Sequence, residues 1–443
     1  MHEFASDAPL CVALSGGMDS VVLLHSLVLQ KRFSSIRALH INHQLSDNAD
    51  SWQRHCETLC ASLEVPLTCI SVDVLSALGT NLEGLESRAR NCRYEAFEKD
   101  IAVGETFLLA HHADDQYETM LLRLMRGAGP SGLSGIPARR GLGLGRLFRP
   151  LLALPRQALL DYAQASQLSW VEDESNQDSR FDRNFCRNEV LPLLATRWPS
   201  YRSCWAKSSR LLGEADELMQ ALAEFDIADA ATKDISVLNL GTLQLLSQSR
   251  LRNAIRYWLL SLGLDDVGWS KLNAIVVAFD SIEQKTRTLV QANDFRLIVY
   301  AGKLYALPPV QELIKQSLPW QLDTQECVLP GNGCLRLISS VSMPAMSIDR
   351  SRMENVQIRY RQGGEEMKMP GRPTKSLKRL LQEAGIEPWL REQLPLIYIA
   401  EQLAFVPRVG VAESYFASPS DERAFTVEWV PQNFNWPLNE KSN

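Results

Sequence analysis

The apolar positions at the start of the chain fall into two alternating rhythms. Cys11, Val12, Ala13 and Leu14 form a short unbroken run that reads as a buried strand; after a glycine pair, VVLLHSLVLQ (21–30) reads as a buried helix. IRALHIN (36–42) alternates as a second strand, and Ser46, Asp47 and Asn48 offer N-caps for a helix to Leu63. Leu67 to Val74 is a third strand, Asn81 begins a helix to Lys99, Thr106 to His111 is a fourth strand, and Asp114 to Met125 is a helix. Strands and helices alternating at this spacing predict α/β architecture, a doubly wound parallel sheet whose ligands sit at the carboxyl ends of its strands.

Farther on the rhythm changes. Leu211, Leu212, Ala215, Leu218, Met219 and Leu222 recur at helical spacing in a long connector from Tyr201 to Ala231. Residues 235–309 are helix-rich and then strand-like, with Gly302 at a turn of FRLIVYAGKLYAL, and 313–347 is strand and turn material. The expected domains are 1–217, the α/β domain with its helical connector; 218–312, small and mainly helical; and 313–443, an α+β C-terminal domain. No repeat or low-complexity tract interrupts them.

The stretch between the first strand and helix, SGGMDS (15–20), carries the first chemistry. A glycine pair lets the backbone turn tightly and approach a ligand, and a helix N-terminus offers free N–H groups at the positive end of its dipole. A phosphate is the expected guest. No Lys follows the glycines, so this is not a Walker loop. Ser15, Gly16, Gly17, Met18, Asp19 and Ser20 are the candidate ATP-binding residues. A carboxylate beside phosphates makes sense with Mg²⁺ between them, which makes Asp19 the candidate metal ligand.

Composition changes the picture through its distribution. The 443 residues carry a formal charge of −6, 45% apolar and 22% charged side chains, which suits an ordinary soluble protein of two or three domains and argues against a general nucleic-acid coat. The start of the chain is polar and no apolar run reaches the length of a membrane span, so the expectation is a cytoplasmic protein. The nine cysteines are scattered and form no Cys-x-x-Cys, as reduced and mostly buried thiols would be. Yet from Thr119 to Leu160 there is no acidic residue, and Arg123, Arg126, Arg139, Arg140, Arg146, Arg149 and Arg156 make a concentrated positive surface around a long Gly-rich loop. A second basic cluster, Arg372, Lys375, Lys378 and Arg379, opens an amphipathic helix near the C-terminus.

Three polar groups fall at strand ends or beside them. His111 and Asp115 lie four apart across a helix start, where they can meet as a carboxylate that orients an amine or Mg²⁺ and an imidazole that contacts phosphate or moves a proton. A zinc site there lacks an obvious third and fourth ligand. Glu86 and Arg90 are spaced as an exposed helical pair, whereas Arg88 and Arg93 have no such partner and suit either a phosphate or solvent. His40 and Asn42 share one face of the second strand, with His43 next to them.

SGGMDS alone resembles the pyrophosphate loop of the ATP pyrophosphatases that adenylate their substrates. Together with HINHQL, ESRARNCRYEAF, AHHADDQYETMLLRLMRGAGPSGLSG, RPLL and WVEDESNQDSRFDRNFCRN, it resembles the successive motifs of bacterial tRNA(Ile)-lysidine synthetases, and residues 358–411 resemble their C-terminal tRNA-binding domain. The resemblance implies an adenine nucleotide alpha hydrolase-like N-terminal domain. It implies ATP-dependent adenylation of the wobble cytidine of a CAU-anticodon isoleucine tRNA, then attack by free lysine to leave lysidine, with ATP and Mg²⁺ required and a homodimer left open. It further implies that His111 and Asp115 line the catalytic and lysine pocket, with Asp19 reaching the phosphates through Mg²⁺ and Arg88 and Arg183 contributing; the charge distribution itself makes Arg123, Arg126, Arg139, Arg140, Arg372, Lys375, Lys378 and Arg379 the candidate tRNA contacts.

Two enzymatic rivals share the phosphate loop. A tRNA thiolase would commonly carry cysteines in its ligand loops; 127–147 and 172–184 have none, although Cys186 lies just beyond. A small-molecule adenylating synthetase would not need the basic stretches. A non-catalytic tRNA-binding protein would not need Ser15, Asp19, His111 and Asp115 intact.

Overall fold

The computed structural model describes residues 8–33, 35–74, 85–264, 267–279, 287–292, 294–309, 316–321, 325–339, 348–349, 355–417 and 424–432. It divides into two compact units, Met1–Ala221 and Leu222–Asn443.

The first unit is built on six strands. β1 (Leu10–Ala13), α1 (Met18–Leu29), β2 (Ile36–Asn42), α2 (Ala49–Ser62), β3 (Leu67–Ser71), α3 (Leu85–Asp100), β4 (Thr106–Leu108) and α4 (Ala113–Met125) follow in turn. After a short helix α5 (Pro130–Leu133) come β5 (Arg139–Leu142), β6 (Gly145–Phe148) and α6 (Arg156–Ala165). The sheet order is β3-β2-β1-β4-β6-β5, parallel except for β5, which pairs antiparallel with β6. Strand order reverses between β1 and β4, and that is the crevice where an open α/β sheet takes its ligand.

Alternation along the strands sorts the apolar residues onto two faces. Val12, Leu14 and Leu108 pack with α1, Cys56 and Cys60 of α2, and Leu159 of α6. Cys11, Phe107 and Leu109 pack on the other face with Phe97 of α3. α1 and α2 share one face and α3 lies on the other, as right-handed crossovers that step one way from β1 and the other way from β3 require.

β2 has the predicted bounds. β3 stops at Ser71 rather than Val74, because it is an edge strand whose pairing ends where β2 ends, at Asn42↔Ser71. β4 stops at Leu108 rather than His111, since its ladder to β1 ends at Val12↔Leu108. The start of the predicted helix at Asn81 and the side chain of Glu86 lie outside the described residues. Part of the expected Gly-rich loop is the β5–β6 hairpin. The helix Tyr201–Ala230 matches the expected connector closely.

The second unit holds two apolar cores. One gathers Trp258, Leu259, Ile275, Leu297 and Leu304 from the helices Gln248–Ser261 and Trp269–Phe279 and from a four-stranded antiparallel sheet, so the segment expected to be mainly helical also carries a sheet. The other gathers Leu335, Leu380, Leu381, Ile397, Phe405 and Trp429 from five- and four-stranded sheets and the helix Leu377–Glu383.

Candidate active site

The turn between β1 and α1 is held by its own hydroxyls. Ser20 Oγ donates to the Gly17 carbonyl at 2.9 Å and lies 3.1 Å from Ser15 Oγ, while Ser15 N donates to Ser20 Oγ at 3.2 Å and Gly17 N to Ser15 Oγ at 3.3 Å. Gly16 has φ +85°, and a Cβ there would come within 2.7 Å of Val171 Cγ2 and 3.1 Å of Cys56 Sγ, so glycine is required on both counts. Val171 N donates to its carbonyl at 3.0 Å. The first-turn N–H groups of Met18 and Asp19 have no intrahelical acceptor by helix geometry, which leaves them for an anion.

Across the crevice, β4 runs out as Leu109, Ala110, His111 and His112. Leu109 packs on the α3 face and Ala110 on the α1 face, and His112, the N-cap of α4, is extended at φ −122°, ψ −179°. Its imidazole, 2% exposed, places Nε2 3.5 Å from Asp19 Oδ2 and Nδ1 3.6 Å from Asp115 Oδ2. The imidazole that the structure brings to Asp115 is therefore His112, not the expected His111. Burial works against charge on His112, but the hydrogen bond to Asp19 and the carboxylates of Asp115 and Asp114 outweigh it and raise its pKa above the ordinary imidazole value.

His111 takes the α3 face. Arg149 Nε donates to His111 Nδ1 at 3.1 Å. A guanidinium can only donate, so Nδ1 must accept and the proton of the neutral ring sits on Nε2. Burial, together with Arg149, Arg183, Arg93 and Arg90, holds the His111 pKa well below the usual value. His111 is thus a fixed hydrogen-bond donor rather than a base.

Behind Asp115 lies a buried network. Asp115 Oδ2 accepts from His112 N at 2.9 Å, and its Oδ1 accepts from Arg183 Nη2 at 2.8 Å. Glu118, fully buried, accepts from Arg183 Nε at 2.7 Å and from Arg187 Nε at 2.6 Å. Two acids and two guanidinia balance, which is the condition under which buried charge is tolerated. Asp114 Oδ2 stands 4.0 Å from His112 Nδ1 and accepts from Arg156 N at 2.8 Å, while its Oδ1 pairs with Arg202 at 3.0 Å. Arg88 is on α3, and its Nε is buried without a hydrogen-bond partner.

The Gly-rich loop is tied to α4. Gln116 Nε2 donates to the Ile136 carbonyl at 2.8 Å and Gln116 Oε1 accepts from Ile136 N at 2.6 Å. Arg123 Nη1 donates to the carbonyls of Gly132 and Gly135 at 2.7 and 2.8 Å, and Arg149 Nη1 to that of Pro137 at 2.7 Å. Of the arginines expected to meet tRNA, Arg123 therefore holds the loop, Arg126 faces Asp182 at 3.6 Å, and Arg139 and Arg140 stack on Phe148 and Tyr94. In the second unit Lys375 and Arg379 both pair with Glu383, at 2.8 and 3.2 Å, while Arg372 and Lys378 make no ion pair among the described residues.

His40 and Asn42 have structural partners. His40 Nδ1 lies 2.8 Å from the Leu14 carbonyl and so props the phosphate turn, and Asn42 donates to Gln53 Oε1 at 3.1 Å. No group of three or more His, Cys, Asp or Glu side chains among the described residues is arranged to hold a metal. Mg²⁺ bound through phosphates needs only one or two carboxylates, and Asp19 fits: Oδ2 faces His112 and Oδ1 is buried with no partner.

Reading the sequence assigned no site role to His112, Glu118, Arg187 and Tyr94, and placed Arg149 only in the basic surface. Signals existed for three of them: alternation past the strand end sends His111 and His112 to opposite faces, Glu118 lies one turn after Asp115, and Arg187 one turn after Arg183. Nothing local links Arg149 to Tyr94.

Residues 2–194 match a PP-loop domain, 238–305 a TilS substrate binding domain and 356–429 a TilS substrate C-terminal domain. The chain is 38% identical over 435 residues to a tRNA(Ile)-lysidine synthase of Pseudomonas aeruginosa, an alignment covering 95% of this chain and 93% of that one. It is 40% identical over 412 residues to that of Pseudomonas putida, covering 89% and 91%, and 37% identical over 431 residues to that of Serratia proteamaculans, covering 97% of each.

Proposed function

The chain belongs to the tRNA(Ile)-lysidine synthase family, and from that premise we propose that it adenylates the wobble cytidine of a CAU-anticodon isoleucine tRNA and then joins lysine to it. It is an ATP-using ligase that forms a carbon–nitrogen bond on tRNA. The observation that carries the two-step reading is the line Asp19–His112–Asp115, which joins the phosphate turn on one side of the crevice to the buried acids on the other.

In this reading Ser15, Gly16, Gly17, Met18 and Ser20 cradle the ATP phosphates with backbone N–H groups and hydroxyls. Asp19 would hold Mg²⁺, which when bound offsets phosphate charge. Adenylation turns the carbon-2 oxygen of cytidine, a poor leaving group, into part of AMP, a good one. Asp115 receives the lysine ammonium: each carboxylate oxygen already accepts one hydrogen bond and has a further lone pair to offer. His111, locked as an Nε2–H donor, is suited to an oxyanion in the crevice. Glu118, Arg183 and Arg187 position Asp115, and Arg88, whose Nε is buried without a partner, would contact substrate phosphate.

The thiolase alternative rested on Cys186, the cysteine just beyond the ligand loops, and that thiol is poorly placed to react. Cys186 is 6% exposed, and burial pushes its thiol pKa up. No helix among the described residues is long and apolar enough to cross a membrane, and a cytoplasmic site of action belongs to the same reading. The deciding experiment supplies ATP, labelled lysine and unmodified CAU-anticodon isoleucine tRNA. Label in the tRNA with release of AMP and pyrophosphate is expected. AMP release without label, or label that does not require ATP, would overturn the proposal.

A further inference from the structure

On the α3 side of the crevice, opposite the phosphate turn, cations collect around one phenol. Arg140 Cζ lies 4.3 Å from the Tyr94 ring centroid and Arg90 Cζ lies 5.2 Å from it, and Arg149 Nη2 donates to the Tyr94 hydroxyl at 3.3 Å. Arg149 is 3% exposed and also holds His111. Neither Arg140 nor Arg149 meets a carboxylate among the described residues, and Arg140 Nε is buried with no hydrogen-bond partner at all. Guanidinia this close repel one another, and without an anion that repulsion is uncompensated. The positive field is visible in the phenol: burial alone would raise the Tyr94 pKa, yet Arg90, Arg149 and Arg140 bring it below the ordinary value.

We propose that Tyr94, Arg140 and Arg149, with Arg90 at the edge, form a seat for a phosphate oxyanion, namely the tRNA phosphodiester next to the reacting cytidine. A planar fork of N–H donors matches a phosphate, and a ring beneath it fixes the fork. The position decides between the two phosphate sources. ATP phosphates belong to the cradle at the start of α1, on the other face of the sheet. This cage is joined to the cradle through consecutive residues, His111 on its side and His112 on the other, whose Cα atoms are about 3.8 Å apart. A nucleotide whose base lies in the crevice at His111 has its backbone phosphate within reach of the cage. Arg140, on the β5–β6 hairpin, and Tyr94 are half-buried and Arg90 is exposed, so the seat is reachable by a polymer from solvent.

The inference rests on the lysidine-forming reading, and its test separates the two. Binding is measured with the full chain and CAU-anticodon isoleucine tRNA carrying a single methylphosphonate at one phosphate of the anticodon loop, each phosphate in turn. Wild-type protein should lose roughly tenfold or more in affinity at one position flanking the wobble cytidine. Arg140→Gln should bind unsubstituted tRNA about tenfold more weakly and lose nothing further at that position, the signature of a direct pair. Arg140→Lys should recover part of the loss. ATP affinity without tRNA should stay within about twofold of wild type. Losses that add in full at every phosphate would overturn the seat. So would weakened ATP binding with tRNA binding intact, which would assign the cage to the triphosphate. Failure of the broader reading would appear elsewhere, as no lysine entering tRNA in the wild-type assay.

Discussion

Asp19 has one carboxylate oxygen facing His112 and the other buried without a partner, so an amide at this position keeps the shape and loses the charge. Asp19→Asn should slow pyrophosphate release on the order of a hundredfold while tRNA affinity stays within about twofold. Wild-type release rates in the variant would remove the metal role. Asp115→Asn should abolish lysine incorporation at saturating lysine and ATP; normal incorporation would reduce Asp115 to a helix-start residue. The histidines make a pH prediction with opposite signs. Burial, then Arg93, brings His43 down to about 4. The unfolded ring binds a proton from about pH 6.5 downward that the folded ring refuses, so stability falls as pH drops from 6.5 toward 4. His43→Gln should remove a slope of up to about 1.4 kcal/mol per pH unit across that window. The raised pKa of His112 gives the reverse: its contribution is present in full below about 6.5 and is lost as pH rises through the folded value. His112→Gln should therefore lower the unfolding midpoint more at pH 6 than at pH 9, and an equal loss at both would contradict the assignment.

At the scale of elements, the loop between α4 and β5 is set by one glycine. Gly135 has φ +86°, and a Cβ there would collide with Gln116 Oε1, the atom that accepts from Ile136 N. Gly135→Ala should cost about 1–3 kcal/mol in local strain, which the loop relieves by leaving α4. Lysine transfer should fall at least tenfold, cleavage by protease within 127–138 should rise, and ATP affinity should hold; a loop as resistant as wild type would show that the contact does not anchor it. The strands and helices before residue 125 were legible because each has its own periodicity. The β5–β6 hairpin was not, since RRGLGLGRLF is glycine-rich and its strand state comes from pairing with β4, Thr106↔Arg146 to Leu108↔Phe148. For the same reason β3 was read too long: its end is set by its neighbour.

For the whole molecule the net charge of −6 conceals where cations are free to act. Neutralising Arg372, Lys375, Lys378 and Arg379 together should flatten the dependence of log K for tRNA on log salt by about two to four units, each phosphate contact counting roughly 0.7 to 0.9. With Lys375 and Arg379 already sharing Glu383, the lower end is expected, and any tRNA should be affected alike. An unchanged slope would leave the binding to the arginines between Arg123 and Arg156.

By itself the sequence determined the phosphate turn and the doubly wound sheet around it, because these depend on local order: a strand, a glycine pair, a hydroxyl and a carboxylate opening a helix; the family was legible only from the whole set of motifs along the chain. It also brought Asp115 and Arg183 into the candidate site without saying that they touch. Only the tertiary structure decided which histidine meets Asp115, since consecutive residues at a strand end point to opposite faces and the choice of face belongs to the packed sheet. Only it decided that Arg123 holds a loop while Arg140 and Arg149 gather at Tyr94. An arginine's role is fixed by whichever acceptor lies within reach of its long side chain, and those acceptors come from residues distant along the chain.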